Sequence, residues 1–187
     1  MKRLVVGMSG ASGAIYGIRL LESLRQDPDV ETHLVISRAA RITIASETDR
    51  RVSDVEALAD VVYDLQDIGA AIASGSFATT GMVVIPCSVK TLSAIANSYA
   101  GDLLTRAADV TLKEGRPLVL VFRETPLHRG HIRLMALAAQ AGAVLFPPAP
   151  AFYGRPQSVD DIVNETVGRV LHRVGLDNDL YTRWLGR

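Results

Sequence analysis

Glycines, small hydroxyl residues and charges collect where apolar runs give way to helical patterns. Leu4-Val5-Val6-Gly7 leads into Met8-Ser9-Gly10-Ala11-Ser12-Gly13, and Thr32-His33-Leu34-Val35-Ile36 leads into Ser37. Met82-Val83-Val84-Ile85 leads through Pro86 to Cys87-Ser88-Val89-Lys90-Thr91, and Leu118-Val119-Leu120-Val121-Phe122 leads to Arg123-Glu124-Thr125. Ala143-Val144-Leu145-Phe146 is followed by a loop carrying Tyr153. A helix start presents unpaired backbone N–H groups and the positive end of the helix dipole, so such junctions suit a phosphate or another anion. Lys90, in the first turn of a helical stretch, opposes that dipole and points to an anionic partner.

Each junction alone has a plainer reading. The first loop is neither G-x-G-x-x-G nor a Walker A sequence, so it names no nucleotide, and Ser12 could simply cap the following helix. Ser88 could be a cap in the same way. Arg123-Glu124 could be a surface ion pair. Cys87 reads as a small residue at a strand end, because nothing around it resembles a nucleophile with its base. His128 and His131 lie three apart on a helical stretch, with no third ligand at matching spacing, so no metal site is expected.

Stepping outward, these junctions need a scaffold of alternating strands and helices. Helical patterns cover 13–26, 37–46, 88–97, 103–114, 128–141 and 159–174, with strands between them and a short strand at Val61-Val62-Tyr63 in an otherwise polar 47–80 segment. Ala73-Ser74-Gly75-Ser76-Phe77 reads as a loop. Pro86 and Pro147-Pro148 are read as strand stops, and Asp27-Pro28-Asp29 as a helix stop. The alternation implies an α/β fold of three layers, a doubly wound parallel sheet with helices on both faces. In such a sheet ligands bind beyond the carboxyl ends of the strands, where the glycine-, serine- and charge-bearing junctions fall.

The chain has 187 residues, one domain spanning 1–187 by length alone, and a chain of this size buries roughly 70% of its unfolded surface. Twenty basic and twenty acidic residues give a net charge of zero, so no footprint for a nucleic acid or an anionic membrane is visible. A single cysteine cannot form an intrachain disulfide and fits a reducing compartment. The start lacks a leader pattern and the apolar runs are too short to span a membrane. A cytoplasmic protein is expected. Abundant aliphatic residues with few aromatics hint at oligomerisation.

Taken together, the motifs resemble the UbiX-type flavin prenyltransferases. The resemblance rests on Ser9-Gly10-Ala11-Ser12-Gly13-Ala14, Ser46-Glu47-Thr48-Asp49, Pro86-Cys87-Ser88-Val89-Lys90-Thr91 and Leu104-Thr105-Arg106-Ala107-Ala108-Asp109-Val110. It continues through Leu112-Lys113-Glu114-Gly115-Arg116-Pro117-Leu118, Arg123-Glu124-Thr125-Pro126 and Phe152-Tyr153-Gly154-Arg155-Pro156-Gln157-Ser158. It covers essentially the whole chain in order. One departure is Gly115, where many members carry arginine. The resemblance implies a flavodoxin-like fold, a homo-oligomer that is typically a dodecamer, and transfer of a dimethylallyl group from dimethylallyl monophosphate to N5 and C6 of reduced FMN. The prenylated FMN would serve a UbiD-type decarboxylase, in ubiquinone biosynthesis or aromatic acid decarboxylation.

Residue by residue, the resemblance puts Gly10, Ala11, Ser12, Ser37, Ser88, Val89, Lys90, Thr91 and Arg123 on the flavin. Tyr153 and Arg169 would hold the dimethylallyl phosphate, with Arg106, Lys113 and Glu47 near it, partly from a neighbouring subunit. Trp184 matches an aromatic near the prenyl pocket. Ser12 and Glu124 are the implied proton carriers, Glu124 as base and Ser12 as relay, and no metal is implied. Two rivals are a flavin-dependent decarboxylase of the cysteine-peptide type, whose active-site histidine has no suitable match here, and a non-catalytic flavin carrier.

Overall fold

The computed structural model of the chain describes residues 1–184 and 186. Six strands form one parallel sheet: β1 (Lys2–Met8), β2 (Val30–Ile36), β3 (Val61–Tyr63), β4 (Gly81–Cys87), β5 (Leu118–Phe122) and β6 (Val144–Leu145). Seven helices accompany them: α1 (Ala14–Leu24), α2 (Arg38–Glu47), α3 (Val52–Glu56), α4 (Val89–Ala96), α5 (Leu103–Lys113), α6 (Arg129–Gln140) and α7 (Val159–Arg173). The strand order is β3-β2-β1-β4-β5-β6. Without the three-residue edge strand β3, this is the flavodoxin-like order, in which the chain moves one way from β1 and then the other way from β4. The expected doubly wound, three-layer fold is therefore observed, and its switch point falls between β1 and β4.

Alternation along β1 builds the two faces. Leu4, Val6 and Met8 point into one core with α1, α2, α3 and α7, while Val5 points into a second core with α4, α5 and α6. β4 is buried throughout, as a central strand covered on both faces must be. The strand runs on through Pro86 to Cys87 rather than stopping there, with its register to β5 shifting between Val84 and Cys87. That shift carries Cys87 and Ser88 to the rim. Gly17 lets α1 lie close on β4, since a Cβ there would sit 2.5 Å from the Ile85 carbonyl oxygen.

The polar 47–80 segment holds more structure than its composition suggests. α3 is one short turn closed by Arg51 and Asp54, and a 3-10 turn spans Ala71–Ala73. The Ala73–Phe77 loop is held by arginines. Arg106 donates to the Ala73 carbonyl, and Arg116 donates to the carbonyls of Gly75 and Phe77. Among the described residues, no helix is long and apolar enough to cross a membrane.

Candidate active site

The switch point is fastened by one buried hydroxyl. Ser9 Oγ donates to the Pro86 carbonyl at 2.9 Å and accepts from the Ser88 N–H at 2.7 Å. It locks the β1 and β4 ends together, and Ser9 is only 1% exposed. Beside it, Gly10 meets the start of α2 so closely that a Cβ would lie 2.3 Å from the Ala39 Cβ. Ser37 caps α2 by accepting from the Ala40 N–H at 3.1 Å. Ser88 caps α4 by accepting from the Thr91 N–H at 3.3 Å, and donates to Thr91 Oγ1. Two helix N-termini thus open on one cleft of about 360 Å3, whose lining includes Gly10, Ser37, Arg38, Ser88, Lys90 and Thr91. A helix start leaves backbone N–H groups without intrahelical acceptors, and Arg38 and Lys90 add two cations to the lining.

The loop takes a different shape from the serine cap considered above. Gly13, with φ of 106°, occupies the cap position of α1 and has no side chain to offer. A carboxylate from the far end of α2 supplies the acceptor instead. Glu47 Oε2 accepts from the Gly13 N–H at 2.8 Å and the Ala14 N–H at 3.1 Å. Desolvation pushes the Glu47 carboxyl up, but hydrogen bonds from Gly13, Ser12 and Ala14, with the charge of Arg123, outweigh it and hold the group below the ordinary carboxylate range. Glu47, and not Ser12, therefore caps α1.

Arg123 is anchored by its backbone N–H to the Cys87 carbonyl at 3.1 Å. Its charge acts on Glu47 and on Tyr16. Glu124 turns aside and accepts from the neighbouring Thr125 N–H at 2.9 Å. Among the described residues, Arg123 and Glu124 form no ion pair with each other. Tyr16 packs against Gly13, and burial keeps its hydroxyl protonated well above neutrality, against the pull of Arg123. Cys87 is fully buried, and desolvation pushes its thiol far up, out of the range of a nucleophile. His128 caps α6 by accepting from the Gly130 N–H at 3.0 Å. Among the described residues, no three His, Cys, Asp or Glu side chains form a metal-holding group.

The remaining predicted residues stand in two other places. Arg106 and Lys113 lie on α5, which starts at the cleft and descends toward the amino ends of the strands. Eleven residues of helix cover roughly 15 Å, so Lys113 sits at the opposite edge of the sheet. It pairs there with Glu114 and lies over Gly75. Arg106 pairs with Asp109 at 2.8 Å. Tyr153, Arg169 and Trp184 gather near the C-terminus. The Tyr153 hydroxyl donates to Glu165 at 3.3 Å, and its ring meets Trp184 edge-on at 5.7 Å. Arg169 lies over the Phe146 ring at 5.6 Å. Tyr153, Glu165 and Tyr181 line a cleft of about 280 Å3. Among the described residues of one chain, no hydrogen bond or ion pair joins the α5 pair or the C-terminal group to the β1/β4 rim.

Sequence reasoning passed over Ser9, Tyr16, Arg38 and Glu165. Ser9 and Arg38 were within reach, because both lie directly beyond a strand. Tyr16 and Glu165 carry no signal beyond helical spacing.

The chain matches the family described as Flavoprotein over residues 1–171. It is 63% identical over its full length, and the full length of the relative, to the flavin prenyltransferase UbiX of Escherichia coli strain K12. The chain belongs to the UbiX flavin prenyltransferases. Two solved structures of the family align closely. AnUbiX in complex with FMN and dimethylallyl pyrophosphate is 50% identical, with a TM-score of 0.97 over 100% of this chain and 98% of that one. A dodecameric FMN-dependent UbiX-like decarboxylase from Escherichia coli O157:H7 is 52% identical, with a TM-score of 0.96 over 98% of this chain and all of that one. The cysteine-peptide decarboxylase and the carrier lose their footing against full-length identity of this order.

Proposed function

We propose that the chain joins a dimethylallyl group to reduced FMN and releases prenylated FMN. The observation that carries this reading is the full-length identity to a flavin prenyltransferase, joined to a rim that suits a flavin phosphate. The cleft between α2 and α4 takes the phosphate end, with Ser37, Ser88 and Thr91 as donors and Arg38 and Lys90 as countercharge. Gly10 and Ala11 form the wall along which the flavin lies. Reduced FMN supplies the two nucleophilic atoms, N5 and C6.

The donor is an allylic phosphate, and its departure needs the growing charge on phosphate to be met. Lys113, Arg106, Arg169 and the Tyr153 hydroxyl supply positive charge and donors for it. These groups lie apart from the rim in one chain, so a homo-oligomer brings them together, with neighbouring subunits completing each site. The dodecamer known for an aligned relative is the assembly proposed here. Trp184 faces the allyl group and steadies its partial positive charge through the ring. A dry pocket protects that short-lived charge from water.

Ser12 and Glu47 receive the proton lost from N5. They stand beside one another at the start of α1, and Glu47 is held on the ionised side of its ordinary range. A weak base suffices, because N5 grows more acidic as its lone pair enters the new bond. Glu124, on the other wall, takes the proton from C6 as the ring closes. The product goes to a UbiD-type decarboxylase, and the work is done in the cytoplasm.

The test is anaerobic incubation with reduced FMN and dimethylallyl monophosphate, followed by the mass of the released flavin. A five-carbon gain supports the reading, and an unchanged flavin overturns it. A parallel arm with dimethylallyl pyrophosphate, the compound bound to AnUbiX, reports which donor is used. The monophosphate is expected to react faster.

A further inference from the structure

The loop beneath Lys113 is held by an arginine that has no part in the site described above. Between Ala73 and Phe77 every second carbonyl accepts from an arginine side chain: Ala73 from Arg106 at 3.2 Å, Gly75 from Arg116 at 2.7 Å and Phe77 from Arg116 at 2.9 Å. Arg116 uses both arms of its fork here, with Thr79 Oγ1 as a further acceptor at 3.3 Å. Its own backbone is fixed, because its N–H donates to the Thr111 carbonyl at 3.0 Å. Phe77, at the end of the loop, is gripped by Arg3 over its ring at 4.9 Å and by His33 edge-on at 5.2 Å. A guanidinium presents its donors in a rigid planar fork, so Arg116 sets the spacing of two carbonyls and not merely the position of one.

Gly75 is where this clamp meets Lys113. Its carbonyl takes the Arg116 guanidinium, and the Lys113–Glu114 ion pair lies across its Cα. A Cβ there would come within 2.6 Å of Lys113 Nζ and would strike the Glu114 carboxylate. The φ of Gly75 lies outside the left-handed region, so the missing side chain serves this contact and not a turn. Lys113 holds the Glu114 carboxyl below its ordinary range, and the charge of Arg116 adds to that pull. The clamp bonds fall within one chain and end on backbone carbonyls, so they do not depend on a neighbour.

We propose that Arg116 is a positioning residue for the phosphate donor. By pinning the Gly75 and Phe77 carbonyls it sets the backbone surface from which Lys113 is aimed at the donor of a neighbouring site. It acts through Lys113, without touching flavin or donor. The proposal rests on the reading of Lys113 as a group that meets the donor phosphate.

A double-mutant cycle on the full chain tests it, with reduced FMN and dimethylallyl monophosphate under anaerobic conditions. The variants are Arg116→Met, which loses the fork and the charge, Arg116→Lys, which keeps the charge alone, Lys113→Ala, and Lys113→Ala combined with each. Arg116→Met should raise the Michaelis constant for the donor about tenfold, the scale of one broken polar link in a network, with FMN affinity unchanged. Arg116→Lys should fall between Arg116→Met and wild type. On the Lys113→Ala background neither change should raise the constant further, because the group they act through is gone. A merely structural arginine would lower the unfolding midpoint and add its effect on both backgrounds. Should Arg116→Met fail to fold, Arg116→Lys carries the cycle. Additive effects, loss of FMN affinity, or an unchanged Michaelis constant in the Arg116 variants while Lys113→Ala raises it, overturns the proposal and leaves the reading of Lys113 standing. An unchanged Michaelis constant in Lys113→Ala itself overturns both.

Discussion

The rim at β1 and β4 and the group around Tyr153 are built by opposite means. At the rim, the serines and Glu47 are each closed on a partner within the same chain. Ser9 ties two strand ends together, Glu47 reaches back across 33 residues to cap α1, and Ser37 and Ser88 cap their own helices. Around Tyr153 the aromatic side chains stand outward. Phe152 is 71% exposed, Trp184 60% and Tyr153 47%, and such a patch on a folded surface ordinarily meets a partner. On the proposed function, the flavin half of the site is finished by folding, whereas the phosphate-donor half waits for assembly. Crowded backbone at the rim should therefore be intolerant of change, and the outer group should affect the donor alone.

Glycine substitutions break this comparison most sharply. Gly10→Ala forces a Cβ against Ala39 and should cost about 2 kcal/mol or more, with loss of FMN binding. Gly154→Ala, in the Tyr153 loop, meets nothing within 4 Å and should change neither. Thermal unfolding and flavin titration of both variants check this. Equal tolerance of the two would remove the distinction.

Next in size is Lys113→Ala. The Michaelis constant for the allylic phosphate should rise about a hundredfold, corresponding to a lost charge-assisted contact, while FMN affinity holds. Loss of FMN affinity instead would move Lys113 into the flavin half. Glu124→Gln should leave FMN bound and slow ring closure; rapid-quench mass analysis would then show prenylated flavin forming more slowly. An unaltered rate would remove Glu124 from the proton path.

The smallest effect concerns pH. The folded chain holds the Glu47 carboxyl below its ordinary range, so the unfolded chain takes up a proton there more readily in acid. Stability from this group is full at neutral pH and falls as pH drops through the carboxylate range. Glu47→Gln should flatten that part of the stability–pH curve, at a neutral-pH cost of about 1 kcal/mol typical of a lost helix cap. Unfolding midpoints between acid and neutral pH measure it. An unchanged acid slope would show that the cap carries no charge-dependent stability.

The strands were legible in sequence because a parallel sheet covered on both faces demands unbroken aliphatic runs, as in Met82–Ile85 and Leu118–Phe122. The helix starts were legible at Ser37 and Ser88, whose caps act on their own helices. The cap of α1 was not legible, because its acceptor comes from Glu47 on another helix. The turn of α3 is too short for any period to declare it. Lys113 and Tyr153 were recognisable by resemblance, but their distance from the rim follows from the direction of α5 and the course of the C-terminal segment, which no local pattern encodes.

The central claim, that one chain supplies the flavin half and its neighbours the donor half, is tested most directly by mixing. Glu47→Gln and Lys113→Ala chains, carrying different tags, are co-expressed, and the mixed assembly is purified through both tags and assayed for prenylated FMN. With the donor held far below the raised Michaelis constant of Lys113→Ala, each variant alone should be nearly inactive, and the mixed assembly should recover activity, because some sites take Glu47 from one chain and Lys113 from another. A mixed assembly no more active than its parents would contradict the account.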